Sequence, residues 1–216
     1  MTLDYRQAQP GDADVLAPMI YEAAPRMLEY VFAMGRDAIV NYIAYCFKND
    51  IGFYGYSRQY VGSENGKIVV TITAYPGREF SRLVMATFFA TFRYFGITHW
   101  LGISTRLMNA GRLYEPPGKN SLFIANGCVS TSDRGKGVFG RFFAEYLVPV
   151  GEERRVDRIE LDVGHDNPRA CALYRRLGFQ CGVSKQYRGK ADIDGVTRMF
   201  LSLAPGAGES TRSAKL

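Results

Sequence analysis

Residues 129–140 read Val-Ser-Thr-Ser-Asp-Arg-Gly-Lys-Gly-Val-Phe-Gly, a glycine-rich loop between a predicted strand and a predicted helix. The mostly apolar residues 121–129 predict the strand, and the helix is expected over about 137–150. A helix start presents free N–H groups and a positive dipole end, and glycines let the backbone approach a ligand closely. With Arg134 and Lys136 in the loop, the stretch predicts an anion-binding site.

Further strands and a helix are predicted on the C-terminal side of this loop. Residues 157–163 alternate apolar and polar side chains, which is typical of a strand. A helix is expected to begin at Asn167 and to end at Gly178, a natural C-cap residue. Strands at about 179–188 and 196–203 complete this half of the chain.

The N-terminal half predicts a strand, then helices, then a hairpin. Residues 3–8 resemble a short strand, and residues 12–47 carry apolar side chains at helical spacing, interrupted near Gly35. Two strands at 59–63 and 67–75 flank a turn that contains Asn-Gly, a strong hairpin signal.

Residues 76–120 are bounded by proline and glycine and predict a helical insertion. Val84, Phe88 and Phe92 follow helical spacing, and a second helix is expected around 99–112. Two interpretations stay open: the insertion covers the sheet, or its aromatic side chains line a substrate pocket.

Composition restricts the classes of protein to consider. The chain has 216 residues, of which 47% are hydrophobic and 22% charged, so it can form one folded domain over residues 1–203. Residues 204–216 resemble a disordered tail. No apolar run has the length of a membrane span, and the first 20 residues lack a signal peptide's apolar segment. The four cysteines form no CxxC pair, so no metal site and a cytoplasmic location with reduced thiols are expected.

The net charge of +6 is spread over both halves of the chain. A nucleic-acid-binding protein would more often show a concentrated basic stripe. We therefore expect neither a nucleic acid nor a membrane as partner. The exposed face of the helical insertion is a candidate surface for a homodimer.

The glycine-rich loop also matches a dinucleotide-binding pattern. Gly135, Gly137 and Gly140 spell GxGxxG, and Asp162 follows at about the usual distance. Against this, five residues separate Val129 from the first glycine, and the preceding hairpin breaks the alternation of strands and helices. A nicotinamide-dependent oxidoreductase is therefore the weaker alternative.

Two motifs together resemble the GNAT family of N-acetyltransferases. The family's first motif reads (Q/R)-x-x-G-x-(G/A) after a strand that ends in valine. The segment from Val129 to Gly137 is similar to it in residues and spacing, with Arg134 at its first position. Residues 167–179, from Asn167 to Phe179, resemble the family's N-x-x-A-x-x-L-Y-x-x-x-G-F signature.

The resemblance implies an α/β (α+β) fold with a mixed, mainly antiparallel sheet. A central pair of parallel strands, here 122–129 and 157–163, splays apart, helices flank the sheet, and the insertion at about 78–120 is additional. Acetyl-CoA, the co-substrate, is held between the splayed strands, and its pyrophosphate binds to residues 135–140. The implied cofactor-binding residues are Gly127, Cys128, Val129, Arg134, Gly135, Lys136, Gly137, Val138, Phe139, Gly140 and Asn167.

The resemblance further implies transfer of an acetyl group to the primary amine of a small molecule or peptide by direct attack. Tyr174 is the implied general acid to the departing CoA thiolate. Asn126 is a candidate for the base side of the reaction, through a water chain. Asn167 is equally well explained as the N-cap of its helix. Cys128 is expected to pack rather than react, because direct transfer needs no nucleophile.

The sequence departs from the family pattern at two points. Phe139 stands where the family prefers a small residue, and residues 122–128 lack the glutamate that many members carry. Glu160 and Asp162 could point to solvent or to the cleft, where a carboxylate could act as the base, and solvated carboxylates are the expectation. His165 with Asp166 is expected to be a surface pair. A non-catalytic acyl-CoA sensor or interaction module is therefore the alternative to an enzyme.

Overall fold

One seven-stranded sheet organises the protein. The computed structural model describes residues 3–187 and 194–203, so the predicted tail at 204–216 lies outside the described residues. The strands are β1 (Asp4–Gln7), β2 (Gln59–Glu64), β3 (Lys67–Pro76), β4 (Ser121–Val129), β5 (Arg158–Gly164), β6 (Gln180–Lys185) and β7 (Val196–Ser202).

The spatial order of the strands is β1-β2-β3-β4-β5-β7-β6. In the described part of the chain, β4 and β5 are parallel and every other neighbouring pair is antiparallel. The predicted mixed, mainly antiparallel sheet with a central parallel pair is confirmed.

Helices flank both faces of the sheet. They are α1 (Ala13–Ala23), α2 (Pro25–Phe32), α3 (Arg36–Lys48), α4 (Phe80–Gly111), α5 (Val138–Phe142), α6 (Val148–Glu153) and α7 (Pro168–Arg176). A π turn over Phe143–Leu147 joins α5 and α6 into one continuous helix. Proline stands in the first turn of α2 and α7, where its missing N–H removes no helical hydrogen bond.

Two apolar cores lie on the two faces of the sheet. The first contains buried residues of the α5–α6 helix packed on the central strands, with α7 at its border. The second lies among α1, α2, α3 and α4. Neighbouring residues of β2 divide between them, Tyr60 in the first core and Val61 in the second, because successive strand side chains point to opposite faces.

The parallel pair separates soon after it forms. Ser121, Leu122 and Phe123 pair with Arg158, Ile159 and Glu160, and beyond them β4 pairs with β3 while β5 pairs with β7. The edge of β4 that faces β5 is therefore left without a strand partner from residue 124 onward, within the described chain. This separation creates the cleft described below.

The insertion forms α4, which Gly96 breaks into two halves. Gly96 has φ 70° and ψ 174°, a conformation outside the helical region. Trp100 packs against Phe88 and Phe92 with ring centroids 4.8 and 5.5 Å apart, whereas residues 88 and 100 of a straight helix would be about 18 Å apart. The halves thus fold onto each other as a hairpin, which we call the α4 hairpin (residues 80–111).

The α4 hairpin packs mainly beside the other helices. Ala90, Ile103 and Ala110 belong to the core of α1, α2 and α3, and Leu83 contacts the sheet through Tyr75 and Phe123. The expectation that the insertion covers the sheet therefore holds only near Leu83.

Candidate active site

A cavity of about 440 Å³ lies where β4 and β5 separate. Of the residues predicted for the site, Asn126, Gly127, Asn167 and Tyr174 line it. The other predicted residues lie at the end of β4 and in the turn and helix that follow, outside the cavity lining. No residue of the α4 hairpin lines the cavity, and Tyr114, just beyond it, does.

A bulge in β4 carries two of the cavity residues. Thr71 pairs with Cys128 and Thr73 with Ala125, so Asn126 and Gly127 together stand opposite Ile72. Asn126 has φ 51°, a left-handed conformation that asparagine tolerates better than most residues. Its Nδ2 donates a hydrogen bond to Thr73 Oγ1 at 3.2 Å.

Tyr174 reaches the cavity from α7 with its ring held by two phenylalanines. Its ring centroid lies 5.9 Å from that of Phe139 and 5.5 Å from that of Phe179, in edge-on contacts. Burial raises the pKa of Tyr174 to about 12, so its hydroxyl keeps its proton at neutral pH. No described residue hydrogen-bonds this hydroxyl, which leaves it available to a ligand in the cavity.

Phe139 points into the core, beside Gly127 of β4. It is 8% exposed, and a Cβ atom on Gly127 would lie 2.9 Å from its Cε2. The phenylalanine ring therefore occupies the space that a side chain at position 127 would need. The departure from the family pattern at Phe139 is matched by a glycine on the neighbouring strand.

The predicted anion-binding turn has the geometry that its glycines suggest. Gly135 and Gly137 have φ 80° and 76°, and α5 begins directly after them. The N–H groups of Val138, Phe139 and Gly140 lie in the first helical turn, where a helix offers no internal partner. They are the donors that the motif predicts for an anion.

Both basic side chains of the turn already have acidic partners. Lys136 Nζ lies 2.9 Å from Asp133 Oδ1, and Arg134 pairs with Glu22 at 3.4 Å while its Nε donates to the Val129 carbonyl at 3.1 Å. Hydrogen bonds from Ser130, Lys136 and Ser132 hold the pKa of Asp133 well below its usual range. Asp133 thus stabilises the turn through its hydrogen bonds to Ser130, Ser132 and Lys136, and it neutralises the charge of Lys136.

Asn167 caps a helix, and Cys128 packs in the interior. Asn167 Oδ1 accepts the backbone N–H of Ala170 at 3.0 Å, which caps α7 and leaves the amide nitrogen at the cavity. Cys128 is buried, and burial raises the pKa of its thiol. A thiol held protonated in this way packs and is a poor nucleophile.

The expectation of solvated carboxylates on β5 is wrong. Glu160 is 3% exposed and pairs with Arg158 and Arg198, both at 2.7 Å. Asp162 accepts two hydrogen bonds from Arg198, at 2.6 and 3.0 Å, and lines the cavity. Both face inward because β5 is a central strand. Burial raises the pKa of Asp162, although the Arg198 hydrogen bonds act in the opposite direction.

His165 and Asp166 separate after β5. His165 lies within hydrogen-bonding distance of Thr197 and Ser184 on the neighbouring strands, at 3.0 and 3.1 Å. Asp166 is exposed, lines the cavity and lies 3.4 Å from Arg26.

Several charged and aromatic cavity residues were missed by sequence reasoning. Arg26, at the start of α2, reaches both Asp166 and Asp194 at 3.4 Å. No motif marks these positions, because they meet only after α1, α2 and β7 have packed beside β4 and β5. The missed residues are Glu22, Arg26, Tyr114 and Asp194.

The model of the acetyltransferase (GNAT) family matches residues 37–179, which is more than half of the chain and includes both motifs. The chain belongs to this family. It is thus an N-acetyltransferase that uses acetyl-CoA as its co-substrate. No curated protein matches the sequence.

Solved structures of acetyltransferases share the fold at low sequence identity. An N-acetyltransferase from Staphylococcus aureus Mu50 has 18% identity and a TM-score of 0.70, over 92% of this chain and 100% of its own. The structure of yncA from Salmonella typhimurium with its cofactor acetyl-CoA has 14% identity and a TM-score of 0.55, over 96% and 99%. A Drosophila melanogaster polyamine N-acetyltransferase has 17% identity and a TM-score of 0.55, over 94% and 100%.

The sheet and the family match exclude the dinucleotide interpretation of the glycine-rich loop. A dinucleotide fold needs a mainly parallel sheet, and the described chain has one parallel pair. The third glycine of the pattern, Gly140, has room for a side chain, since an added Cβ would meet only Leu177 at 3.8 Å. Among the described residues, no helix combines the length and apolar character needed to cross a membrane.

Proposed function

We propose that this chain transfers the acetyl group of acetyl-CoA to a primary amine that enters the cavity between β4 and β5, with Tyr174 as the general acid. The observation that carries this proposal is the Tyr174 hydroxyl, which lies at the cavity, keeps its proton, and has no partner among the described residues.

The cleft has features that fit the co-substrate. The free edge of β4 at Gly127 to Val129 offers backbone groups to the amides of the pantetheine arm, as an added strand would use them. The turn at Gly135 and Gly137 and the first N–H groups of α5 suit the pyrophosphate. The amide nitrogen of Asn167 adds a donor beside the arm. Because Arg134 and Lys136 are already paired, backbone groups carry most of the anion recognition.

The chemistry follows from these positions. Acetyl-CoA supplies a thioester, whose carbonyl carbon is open to attack by a neutral amine. Tyr174 donates its proton to the sulfur as the carbon–nitrogen bond forms and the carbon–sulfur bond breaks. Because burial raises its pKa to about 12, Tyr174 is protonated at neutral pH and can donate to the sulfur, so that the leaving group departs as a thiol rather than as a full thiolate.

The cavity lining favours a cationic acceptor. Among the described residues, four carboxylates line it, from Glu22, Asp162, Asp166 and Asp194. The arginines that pair with them number three, Arg26, Arg134 and Arg198, so one negative charge is left in excess. Most amines are protonated at neutral pH and must lose a proton before they attack. Asp162 is the candidate proton acceptor, because it lies in the cavity wall and burial raises its pKa, although the two hydrogen bonds from Arg198 act in the opposite direction. The resemblance in fold to a polyamine N-acetyltransferase agrees with such an acceptor.

The test is acetyl transfer itself. The protein is incubated with acetyl-CoA and, separately, agmatine, spermidine, tyramine and a peptide with a free N-terminus, and both thiol release and the acetylated product are measured. We expect transfer to at least one cationic small amine. Asp162→Asn should slow transfer more than Asp166→Asn, because Asp166 lies at the exposed rim. Binding of acetyl-CoA with no transfer to any amine would instead favour the non-catalytic sensor.

A further inference from the structure

A chain of buried polar side chains crosses three strands and ends at the cavity. Gln59 on β2 donates through Nε2 to the Phe53 carbonyl at 3.2 Å. Thr73 on β3 donates through Oγ1 to Gln59 Oε1 at 2.8 Å, and Asn126 on β4 donates to Thr73 Oγ1 at 3.2 Å. Gln59 and Thr73 are completely buried. We call these three side chains the polar relay.

Hydrogen-bond chemistry fixes the direction of the polar relay. A carbonyl oxygen can only accept, so the Phe53 carbonyl requires the amide nitrogen of Gln59 and turns Gln59 Oε1 toward Thr73. The single hydroxyl proton of Thr73 is then used on Gln59, so Thr73 Oγ1 must accept from Asn126 Nδ2. Asn126 Oδ1 is left over, and no described residue donates to it. The relay therefore presents an acceptor oxygen at the cavity wall.

The backbone around Asn126 reinforces this orientation. The residue stands in the bulge with φ 51°, and its neighbour Gly127 is covered by the Phe139 ring. A bulge re-aims a side chain relative to a regular strand. Left-handed geometry and a partly buried hydrogen bond thus act on the same side chain, which has little freedom to turn its oxygen away.

The same strand shows that a buried hydroxyl here need not be paired. Thr71, two residues before Thr73, is also completely buried, and its Oγ1 has no hydrogen-bond partner among the described residues. Thr73 and Thr71 lie on the same face of β3 and are equally buried, but only Thr73 is hydrogen-bonded to Asn126. Thr71 therefore provides a matched control.

We propose that Thr73 and Gln59 are positioning residues for acetyl transfer, which hold Asn126 Oδ1 toward the cavity to accept an N–H of the attacking amine. This inference rests on the proposed function. An amine that donates one N–H to Oδ1 has its lone pair directed by that bond toward the thioester carbon. Asn126 gains no proton in the step: the nitrogen bonds to carbon, the carbon–sulfur bond breaks and the sulfur takes the Tyr174 proton. The amine's surplus proton goes to a carboxylate and from there restores the Tyr174 hydroxyl.

The kinetic test compares Thr73→Val, Thr73→Ser and Thr71→Val with the unchanged protein, using acetyl-CoA and the amine that it acetylates. Thr73→Val should lower kcat about 10- to 100-fold with acetyl-CoA affinity unchanged, because a misplaced nucleophile costs rate rather than cofactor binding. Thr73→Ser keeps the hydroxyl and should restore most of the rate. Thr71→Val should leave kcat unaltered. Unaltered kcat in Thr73→Val, in a protein that acetylates the amine, would overturn the inference and leave the proposed function standing.

A spectroscopic measurement decides the relay without any acceptor. In the unchanged protein, one side-chain N–H of Asn126 should be protected from hydrogen exchange and shifted by its bond to Thr73, as seen in amide NMR spectra. Thr73→Val should abolish that protection, and Thr73→Ser and Thr71→Val should keep it. Asn126 amide signals that are unchanged in Thr73→Val would overturn the inference, whether or not an amine is acetylated. Failure to acetylate any amine is a separate outcome and would refute the proposed function.

Discussion

The cleft between β4 and β5 and the α4 hairpin differ in what holds their shape. In the cleft, hydrogen bonds hold the side chains of Asn126 to Thr73 and of Asp162 to Arg198. In the α4 hairpin, Trp100 Nε1 is buried without a partner among the described residues. Eleven large apolar side chains are exposed in the described chain, and nine belong to the hairpin: Val84, Met85, Phe89, Phe92, Tyr94, Ile97, Leu101, Leu107 and Met108.

This difference between the cleft and the α4 hairpin shows where the orientation of individual side chains matters. Hydrogen bonds are directional, so they fix the orientation of the side chains that border the cavity. In the hairpin, hydrogen bonds of Thr91 and Arg106 fix the side that faces the other helices, and the remaining side chains make apolar contacts, which are not directional. Substitutions should therefore alter chemistry in the cleft and only stability or solubility in the hairpin.

The largest effect is expected for the hydroxyl of Tyr174. Tyr174→Phe keeps the ring contacts with Phe139 and Phe179 and removes only the proton donor, so kcat should fall about 100-fold, as general acid catalysis typically contributes. The affinity for acetyl-CoA should stay the same. Steady-state kinetics measure kcat, and calorimetric titration measures the affinity for acetyl-CoA. Tyr94→Phe, on the exposed surface of the hairpin, is the control and should change neither. A kcat unaffected by Tyr174→Phe would remove this hydroxyl from the mechanism.

The contact between Gly127 and Phe139 should show strong coupling. Gly127→Ala places a Cβ 2.9 Å from the Phe139 ring, so it should destabilise the protein by about 1–3 kcal/mol through overpacking. Phe139→Leu creates room, and the double variant should lose less stability than the sum of the single ones. Denaturant unfolding of the four proteins gives the coupling energy. Simple additivity would mean that the ring does not fill the space beside Gly127.

Two glycines of the α4 hairpin should respond in opposite directions. Gly96→Ala forces a side chain into a conformation suited to glycine and should cost about 1–3 kcal/mol. Gly111 has no positive φ and nothing within 4 Å of an added Cβ, so Gly111→Ala should stabilise the helix end by about 0.4–1 kcal/mol. Thermal unfolding compares the two, with acetyl transfer as a check that the cleft is unaltered. Equal effects would contradict a hairpin that bends at Gly96.

The smallest effect is expected for the acid dependence of the turn. The pKa of Asp133 is lowered in the folded protein, so its contribution to stability is present above the ordinary aspartate pKa of about 4 and is lost as the pH falls below it. Asp133→Asn should therefore lower the unfolding midpoint at pH 7, and this difference should shrink below pH 4. A difference that is constant from pH 7 to pH 3 would show that the carboxylate is not what fixes the turn.

The cleft was largely predictable because its chemistry lies in local motifs. Arg134 to Gly137 and Asn167 to Phe179 are short segments whose conformation depends on nearby residues, so their strand, turn and helix positions could be read directly. Asn126 and Tyr174 were placed at the cavity for the same reason. The direction of the Phe139 side chain depends on its packing against Gly127 of the preceding strand, a contact that the motif spacing does not show.

Long-range packing explains what the sequence did not reveal. Arg26 meets Asp166 and Asp194 only in the folded protein, and nothing in their spacing indicates it. Glu160 has the alternation of a solvent-facing strand residue, yet arginines on its own and the neighbouring strand bury it. In the insertion, helical spacing indicated two helices, but their fold-back at Gly96 depends on the contact between Trp100 and Phe88.

The π turn at Phe143–Leu147 is a place where the chain can lose one residue without a change in the rest of the helix. A π turn holds one residue more than the same stretch of α-helix, so one residue can be removed there while the helix ends stay in place. Ala144 is exposed and lies within the turn. Gain or loss of a single residue is therefore easiest to accommodate at this point, between the glycine-rich turn before α5 and the segment that leads into β5.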